Sequence, residues 1–326
     1  YETDDSALWL ASNGGLSKLI EIKENEAVFE NYTLSDDKEV VSKNYVRSIF
    51  EDENGTLWVG VFSGGLSKFD RKTKTFTRFS HEPENKNSIT PGQVKVIFED
   101  SKGELWVGTQ EGLNRFNRER QVFIRYTHNP ENPKSISSNR INAICEDKWG
   151  QLWIGTYGGG LNVYDRQNDA FIHYTNNPSV PTSLIHDRIW TIYGDEAGVL
   201  WIGTLGGISK YDKSKAKFEH FTHIPDDANS LSHKWVWAFN QDQDGVIWIG
   251  TQNGLTKFDP VKNEFEIFRH EPDNPNSLSH NSVKTIWQDK NGILWIGTRG
   301  GLNKFNPQTG KFKSYHYIPG DSTSLN

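Results

Sequence analysis

The sequence contains no methionine and a single cysteine, Cys145. One thiol cannot close an internal disulfide, and a lone Cys fits no metal-ligand spacing, so cysteine usage leaves the compartment open. A chain without an initiator Met reads as an excised segment, so any signal peptide, membrane helix or output domain is expected outside it. No apolar run approaches the roughly 18–20 residues of a spanning helix, which argues against direct membrane insertion of this segment. Positive charge is also scarce. Against 42 Asp and Glu stand 36 Lys and Arg, a formal net charge of −6, and this disfavours a broad nucleic-acid-binding surface.

Aromatic residues are plentiful, with 12 Trp and 18 Phe among 326 residues. They are ample for a globular core. Seven of the tryptophans recur in a Leu-Trp-Ile-Gly-Thr-like string: Trp9, Trp58, Trp106, Trp153, Trp201, Trp248 and Trp295, separated by 49, 48, 47, 48, 47 and 47 residues. Each repeat carries four short β-like runs bounded by turn signals. In the last copy they are 282–287, 293–298, 302–305 and 311–315. The Asp-Lys-Asn-Gly turn at 289–292 suits positive φ at Asn and Gly. Four antiparallel strands per copy without helical periodicity predict an all-β, seven-bladed β-propeller of four-stranded antiparallel blades, a single domain over 1–326. Solenoid repeats are usually shorter or helical and need caps, while closure removes the exposed edges that invite aggregation.

The chain ends fit the same register. Tyr1 aligns with Trp287 and Asn326 with Ser279, so most of one inner strand is expected to be missing from the segment. Either trimming or a strand supplied from outside these ends accounts for it.

The pattern Asp-x-x-Gly-x-Leu-Trp-Ile-Gly-Thr-x-x-Gly-Leu-x-x-Phe, met at 242–258 with Ile247 for the first Leu, resembles the two-component regulator propeller repeat. So does the linker His-x-Pro-Asp-Asn-Pro-x-Ser-Leu at 270–278. The likeness runs through all seven copies and is degraded only in the first, where Ala7-Leu8-Trp9-Leu10-Ala11 lacks Gly-Thr. It implies the extracytoplasmic, periplasmic sensory part of an inner-membrane bacterial regulator, often with propellers in tandem. A small β-sandwich, a membrane helix and a kinase or other output would follow. Implied partners are those neighbouring domains, a second copy in a receptor dimer, and breakdown products of complex carbohydrates.

The repeat tryptophans read as packing, because strand alternation places Trp295 on one sheet face and Leu294 and Ile296 on the other. Asp52, Asp100, Asp147, Asp195, Asp242 and Asp289 precede the first hairpin turn and suit an Asx-type bond to its backbone. Residues 240–245 resemble the start of a calcium loop, but the twelfth position is Thr251 instead of Glu. His81, His128, His223 and His270 end fourth strands and read as linker anchors. His186, His233 and His280 share one register on three consecutive copies, a spacing open to zinc, yet no recurring carboxylate would orient them. No metal or cofactor is therefore assigned. The phosphate-binding Gly-rich loop, His-Glu-x-x-His and Gly-x-Ser-x-Gly are all missing, so no catalytic residue is named.

Ligand contacts are expected where the copies differ. Two alternate positions at the start of the inner strand vary: Tyr45 and Arg47, Gln93 and Lys95, Arg140 and Asn142, Arg188 and Trp190, Trp235 and Trp237, Ser282 and Lys284. Between them lies an apolar residue (Val46, Val94, Ile141, Ile189, Val236, Val283). A third variable position follows the second strand: Phe62, Gln110, Tyr157, Leu205, Gln252 and Arg299. Both sets are expected at one mouth of a central channel. Aromatics beside Arg, Lys and Gln suit a sugar, and the cations suit an anionic one. The leading reading is non-catalytic sensing of an oligosaccharide-like ligand. A propeller lyase or glycan-cleaving enzyme, with His186, His233 and His280 as first candidates, and a protein-interaction scaffold are the alternatives.

Overall fold

The structure is a computed structural model that describes residues 1–23, 26–34, 45–63 and 65–325. The aligned chain end Asn326 lies outside the described residues. Seven antiparallel sheets follow one another along the chain, each with its strands in sequential order, and they are the blades of an all-β, seven-bladed propeller. Blade 1 has three strands (Trp9–Ala11, Leu16–Lys23, Glu26–Tyr32) and a bridge between Glu2 and Leu8. Blades 2 to 7 have four strands each and span 46–79, 94–126, 141–174, 189–221, 236–268 and 283–315. Observed strands of the last copy start or end within one residue of the expected runs. In its first turn only Gly292 takes positive φ, at 78°.

Two compact units divide the chain. The N-terminal unit comprises Tyr1–His173 with Ile318–Asn326, and the C-terminal unit comprises Tyr174–Tyr317. Blades pack face to face within each, so the core is a series of layers between blades. The second strand of blades 2 to 6 is buried at every position. This is why its sequence reads as a continuous apolar run instead of alternating. The seven repeat tryptophans are at most 6% exposed. Five of them meet an aromatic of the following blade edge to face: Trp9 with Phe69, Trp58 with Phe116, Trp106 with Tyr164, Trp201 with Phe258 and Trp248 with Phe305, at centroid distances of 5.0–5.8 Å. The packing reading of the tryptophans therefore holds.

Their polar ends are satisfied by the repeated aspartates. Asp52 Oδ1 accepts N–H groups of Asn54 and Thr56, the expected Asx bond, while Oδ2 accepts the Trp58 indole N–H at 2.7 Å. The indole bond recurs at Asp100, Asp147, Asp195, Asp242 and Asp289. Blade 1 carries Thr3 in the aspartate's place, and the buried Trp9 indole finds no acceptor among the described residues.

Linkers dock on the outer strand of the blade they enter. Phe123, Phe171, Phe218 and Phe312 donate N–H to linker carbonyls of Asn87, Lys134, Thr182 and Asn276. The C-terminal linker does the same on blade 1, where Phe29 donates to Thr323 O at 2.9 Å. Nδ1 of His81, His128, His223 and His270 donates to the carbonyls of Ile89, Ile136, Leu231 and Leu278 at 2.6–2.9 Å, so this series anchors linkers.

Candidate functional site

First strands of neighbouring blades pack side by side: in the N-terminal unit Val46–Glu51 against Val94–Glu99 and the latter against Ile141–Glu146. In the C-terminal unit Ile189–Gly194 packs on Val236–Gln241, which packs on Val283–Gln288. The apolar residue opening each strand is buried to 2% or less. Val94, Ile141, Val236 and Val283 fit a hole left by the glycine of the preceding blade's Trp-x-Gly string. A Cβ on Gly60 would stand 2.6 Å from Val94 Cγ1, on Gly108 2.6 Å from Ile141 Cγ2, and on Gly250 2.8 Å from Val283 Cγ1. The knob-and-hole contact fixes where the strand begins.

The residue after the knob is then forced out of register. Pairing with the second strand slips between Val46 and Ser48, Val94 and Val96, Ile141 and Ala143, Ile189 and Thr191, Val236 and Ala238, and Val283 and Thr285. The extra residue of each bulge is Arg47, Lys95, Asn142, Trp190, Trp237 or Lys284, one of the two variable positions. Bulges free a residue from the ladder and re-aim its side chain. The residue before the knob is tied to the third variable position by one backbone bond per blade. Phe62, Gln110, Tyr157, Leu205, Gln252 and Arg299 donate N–H to the carbonyls of Tyr45, Gln93, Arg140, Arg188, Trp235 and Ser282, at 2.8–3.2 Å. In blades 2 to 7 the three variable residues are thereby held together at one end of the blade.

In the N-terminal unit the rim holds cations against aromatic rings. Tyr45 and Phe62 stack at 5.3 Å with planes 7° apart. Arg47 lies over the Tyr45 ring at 5.3 Å and donates to its hydroxyl at 3.0 Å. Arg140 lies 4.5 Å from the Tyr157 centroid. Lys95 Nζ donates to Asn142 Oδ1 at 2.7 Å. Burial first, then the charges of Arg140 and Arg47, pull the Lys95 ammonium down to about 8.

In the C-terminal unit the rim is a tryptophan cluster. Trp190 and Trp237 meet edge to face at 4.5 Å, and Trp235 stands 6.2 Å from Trp237. Lys284 Nζ sits 3.6 Å above the Trp237 centroid and 3.5 Å from Gln252 Oε1. Trp235 is 38% exposed, unusual for so large a ring. The Trp237 indole N–H is buried without an acceptor among the described residues. Arg188 and Arg299 are exposed beside this cluster on the flanking rim positions.

The second histidine series serves the rim backbone. Nδ1 of His186, His233 and His280 accepts N–H of Arg188, Trp235 and Ser282 at 2.8–2.9 Å. Burial, followed by the Arg188 guanidinium beside His186 and the His223 ring beside His233, pushes the His186 and His233 imidazoles below their usual range. Among the described residues, no group of three or more His, Cys, Asp or Glu side chains is placed to hold a metal. Shallow depressions around Tyr164 and Arg166 lie among the ion pairs that join blades 3 and 4, away from the rim.

Six segments, 41–63, 88–111, 135–158, 183–206, 230–253 and 277–300, match the two component regulator propeller repeat. The chain is similar to the extracellular domain of the putative hybrid two component system BT4673 from B. thetaiotaomicron, at 23% identity and a TM-score of 0.52, over 97% of this chain and 40% of that one. It therefore spans about 40% of that domain's length. Virginiamycin B lyase from Staphylococcus aureus is 16% identical with a TM-score of 0.61, over 85% of each chain. PorZ, a surface component of the type-IX secretion system of Porphyromonas gingivalis, is 15% identical with a TM-score of 0.59, over 97% of this chain and 53% of PorZ. At these identities the likenesses are ones of fold. Comparison with curated proteins gives no match.

Proposed function

Taking the chain as a seven-bladed propeller of the two component regulator type, we propose that it is the extracytoplasmic sensing module of a membrane-bound bacterial signal-transduction regulator. Its rim binds an oligosaccharide-like ligand without chemistry. The observation that carries this reading is the contrast within each repeat. From blade 2 onward the apolar knob and the Trp-x-Gly string stay constant, while the bulged residue beside them changes from blade to blade. A scaffold alone has no use for Trp at two successive bulges. Flat rings bordered by Lys, Gln and Arg match a sugar's apolar faces and hydroxyl edges. Periplasmic placement, output domains and dimeric assembly belong to the same proposal and follow from the family resemblance of the repeat.

Two measurements test it. The chain is titrated with neutral oligosaccharides while melting temperature and tryptophan emission are followed. A binding saccharide raises the melting temperature, and Trp235→Ala or Trp237→Ala weakens it about tenfold, or roughly 1.4 kcal/mol. A panel that leaves the melting temperature unmoved, or variants that bind like the parent, would sink the rim reading. Sequencing the gene on either side tests the context. A membrane helix followed by a signalling domain supports a sensor, whereas a secretion signal and an immediate stop codon favour a secreted enzyme.

A further inference from the structure

We infer that Arg47, Lys95 and Arg140, on three successive blades of the N-terminal unit, form a binding site for an oxyanion, the carboxylate or sulfate of an acidic ligand. This narrows the ligand class proposed above and rests on that reading only for the saccharide part, since the test below begins with an inorganic ion.

The placement is set by the fold. Residues 47 and 95 occupy the same bulge on blades 2 and 3, whose first strands pack side by side, and Arg140 precedes the knob of blade 4 beside them. Three cations are thereby gathered on adjoining strands of a chain whose formal charge is −6. Like charges brought together repel, a cost that a purely structural rim would avoid by using the neutral residues found at equivalent positions, Gln93 and Asn142.

The two arginines are held differently from those that join the blades of the unit. Arg71, Arg118 and Arg166 are each committed to two or more carboxylates. Arg47 and Arg140 have no carboxylate partner among the described residues and lie instead against the faces of Tyr45 and Tyr157. A ring face orients a guanidinium and leaves its N–H edge for bidentate bonding to a planar carboxylate or a sulfate. Lys95 Nζ is steered by the Asn142 amide oxygen, which is a neutral acceptor and does not cancel its charge. The depressed Lys95 titration fits the same picture: burial and two neighbouring cations destabilise the ammonium, and a bound anion would restore it.

The experiment uses the full chain. Thermal unfolding is followed in sodium sulfate and in sodium chloride at matched ionic strength, so that general screening cancels. Measurements are made at about pH 7 and above about pH 9, where Lys95 loses its proton. Lys95→Asn and Arg140→Gln are the variants, each introducing a residue the repeat already carries one blade away. Expected is a sulfate-specific rise in melting temperature near neutrality that fades at the higher pH, with apparent affinity lowered about tenfold or more in either variant. Equal responses to sulfate and chloride, or variants that respond like the parent, overturn the site. Glucuronate against glucose then separates the two sources: a response to glucuronate assigns the site to carboxylates, and one to sulfate alone assigns it to sulfate esters. A chain that binds sulfate but no saccharide keeps the anion site and removes the sensing reading. Neutral-saccharide binding that survives Lys95→Asn together with an unchanged sulfate response does the reverse.

Discussion

The two units are built from the same strands, turns and tryptophans, yet they join their blades with different chemistry. In the N-terminal unit the last residue of the first strand is glutamate, and an arginine follows the third strand of the same blade. Glu51 and Arg71, Glu99 and Arg118, and Glu146 and Arg166 are the pairs. The glutamate also accepts a backbone N–H from the first turn of the preceding blade (Asp4, Glu53 or Ser101) at 2.7–2.8 Å. Arg118 and Arg166 reach back to Asp52 and Asp100 of that preceding blade. In the C-terminal unit the arginine is replaced by Lys213, Pro260 and Pro307, and the glutamate by Gly194, Gln241 and Gln288. Gln241 and Gln288 keep the bond to the preceding turn with a neutral oxygen, at 3.3 and 3.2 Å. In blades 6 and 7 the backbone contact persists while both partners of the charged pair give way to neutral residues together, as expected where a lone buried carboxylate or guanidinium is costly; blade 5, with Gly194 and Lys213, keeps only a cation.

The largest effect is expected where the units agree. Trp58→Ala and Trp248→Ala should each lower stability by about 3–5 kcal/mol in denaturant unfolding, since both rings fill a layer between blades. A cost confined to one unit would show that the layers are not equivalent. The next change separates the units. Arg118→Ala leaves the buried Asp52 and Glu99 facing no guanidinium and should cost about 2–3 kcal/mol, reduced from a fully buried pair by the arginine's partial exposure. Pro260→Ala, at the matching position of the C-terminal unit, should stay within about 0.5 kcal/mol. Equal costs would mean that the ion pairs add nothing to blade packing.

The smallest effect is acid sensitivity. Burial would raise Asp52 and Asp100, but bonds from Trp58 and Arg118, and from Arg166 and Trp106, outweigh it and hold both carboxyls below the usual range. Their stabilisation is complete above the unfolded value of about 4 and is lost as pH falls through the lower folded value. His186 and His233 are also depressed in the fold, so their contribution is complete above about 6.5 and declines as pH falls through their folded values. Protonation there removes the Nδ1 acceptor of Arg188 and Trp235. Hydrogen-exchange protection, corrected for intrinsic rates, should therefore weaken first at the C-terminal rim and only below about pH 4 between blades of the N-terminal unit. Simultaneous loss in both units would contradict this order.

Much of this was legible before any coordinates. The period, the Asp-x-x-Gly turn and the Trp string specify four strands and their partners locally, and the variable positions could be found by comparing copies. The indole bond to the aspartate was missed because it joins residues six apart across a turn, where spacing alone does not show which oxygen is free. The histidines illustrate the same limit. Nothing in the order of residues says that Nδ1 of His81 donates while Nδ1 of His233 accepts. Arg118 and Asp52 lie 66 residues apart, beyond the reach of any local pattern.

By itself the sequence determined the blade count, the strand order and which positions form the scaffold, because these follow from periodicity and turn chemistry that act over a few residues. Tertiary structure alone decided that the variable residue after each knob is a bulge. In four of the blades it accompanies a valine or isoleucine entering the glycine hole of the blade before it, a contact between residues more than thirty apart. The knob sets where the ladder begins, one residue has no partner, and that residue is the one each blade has been free to change.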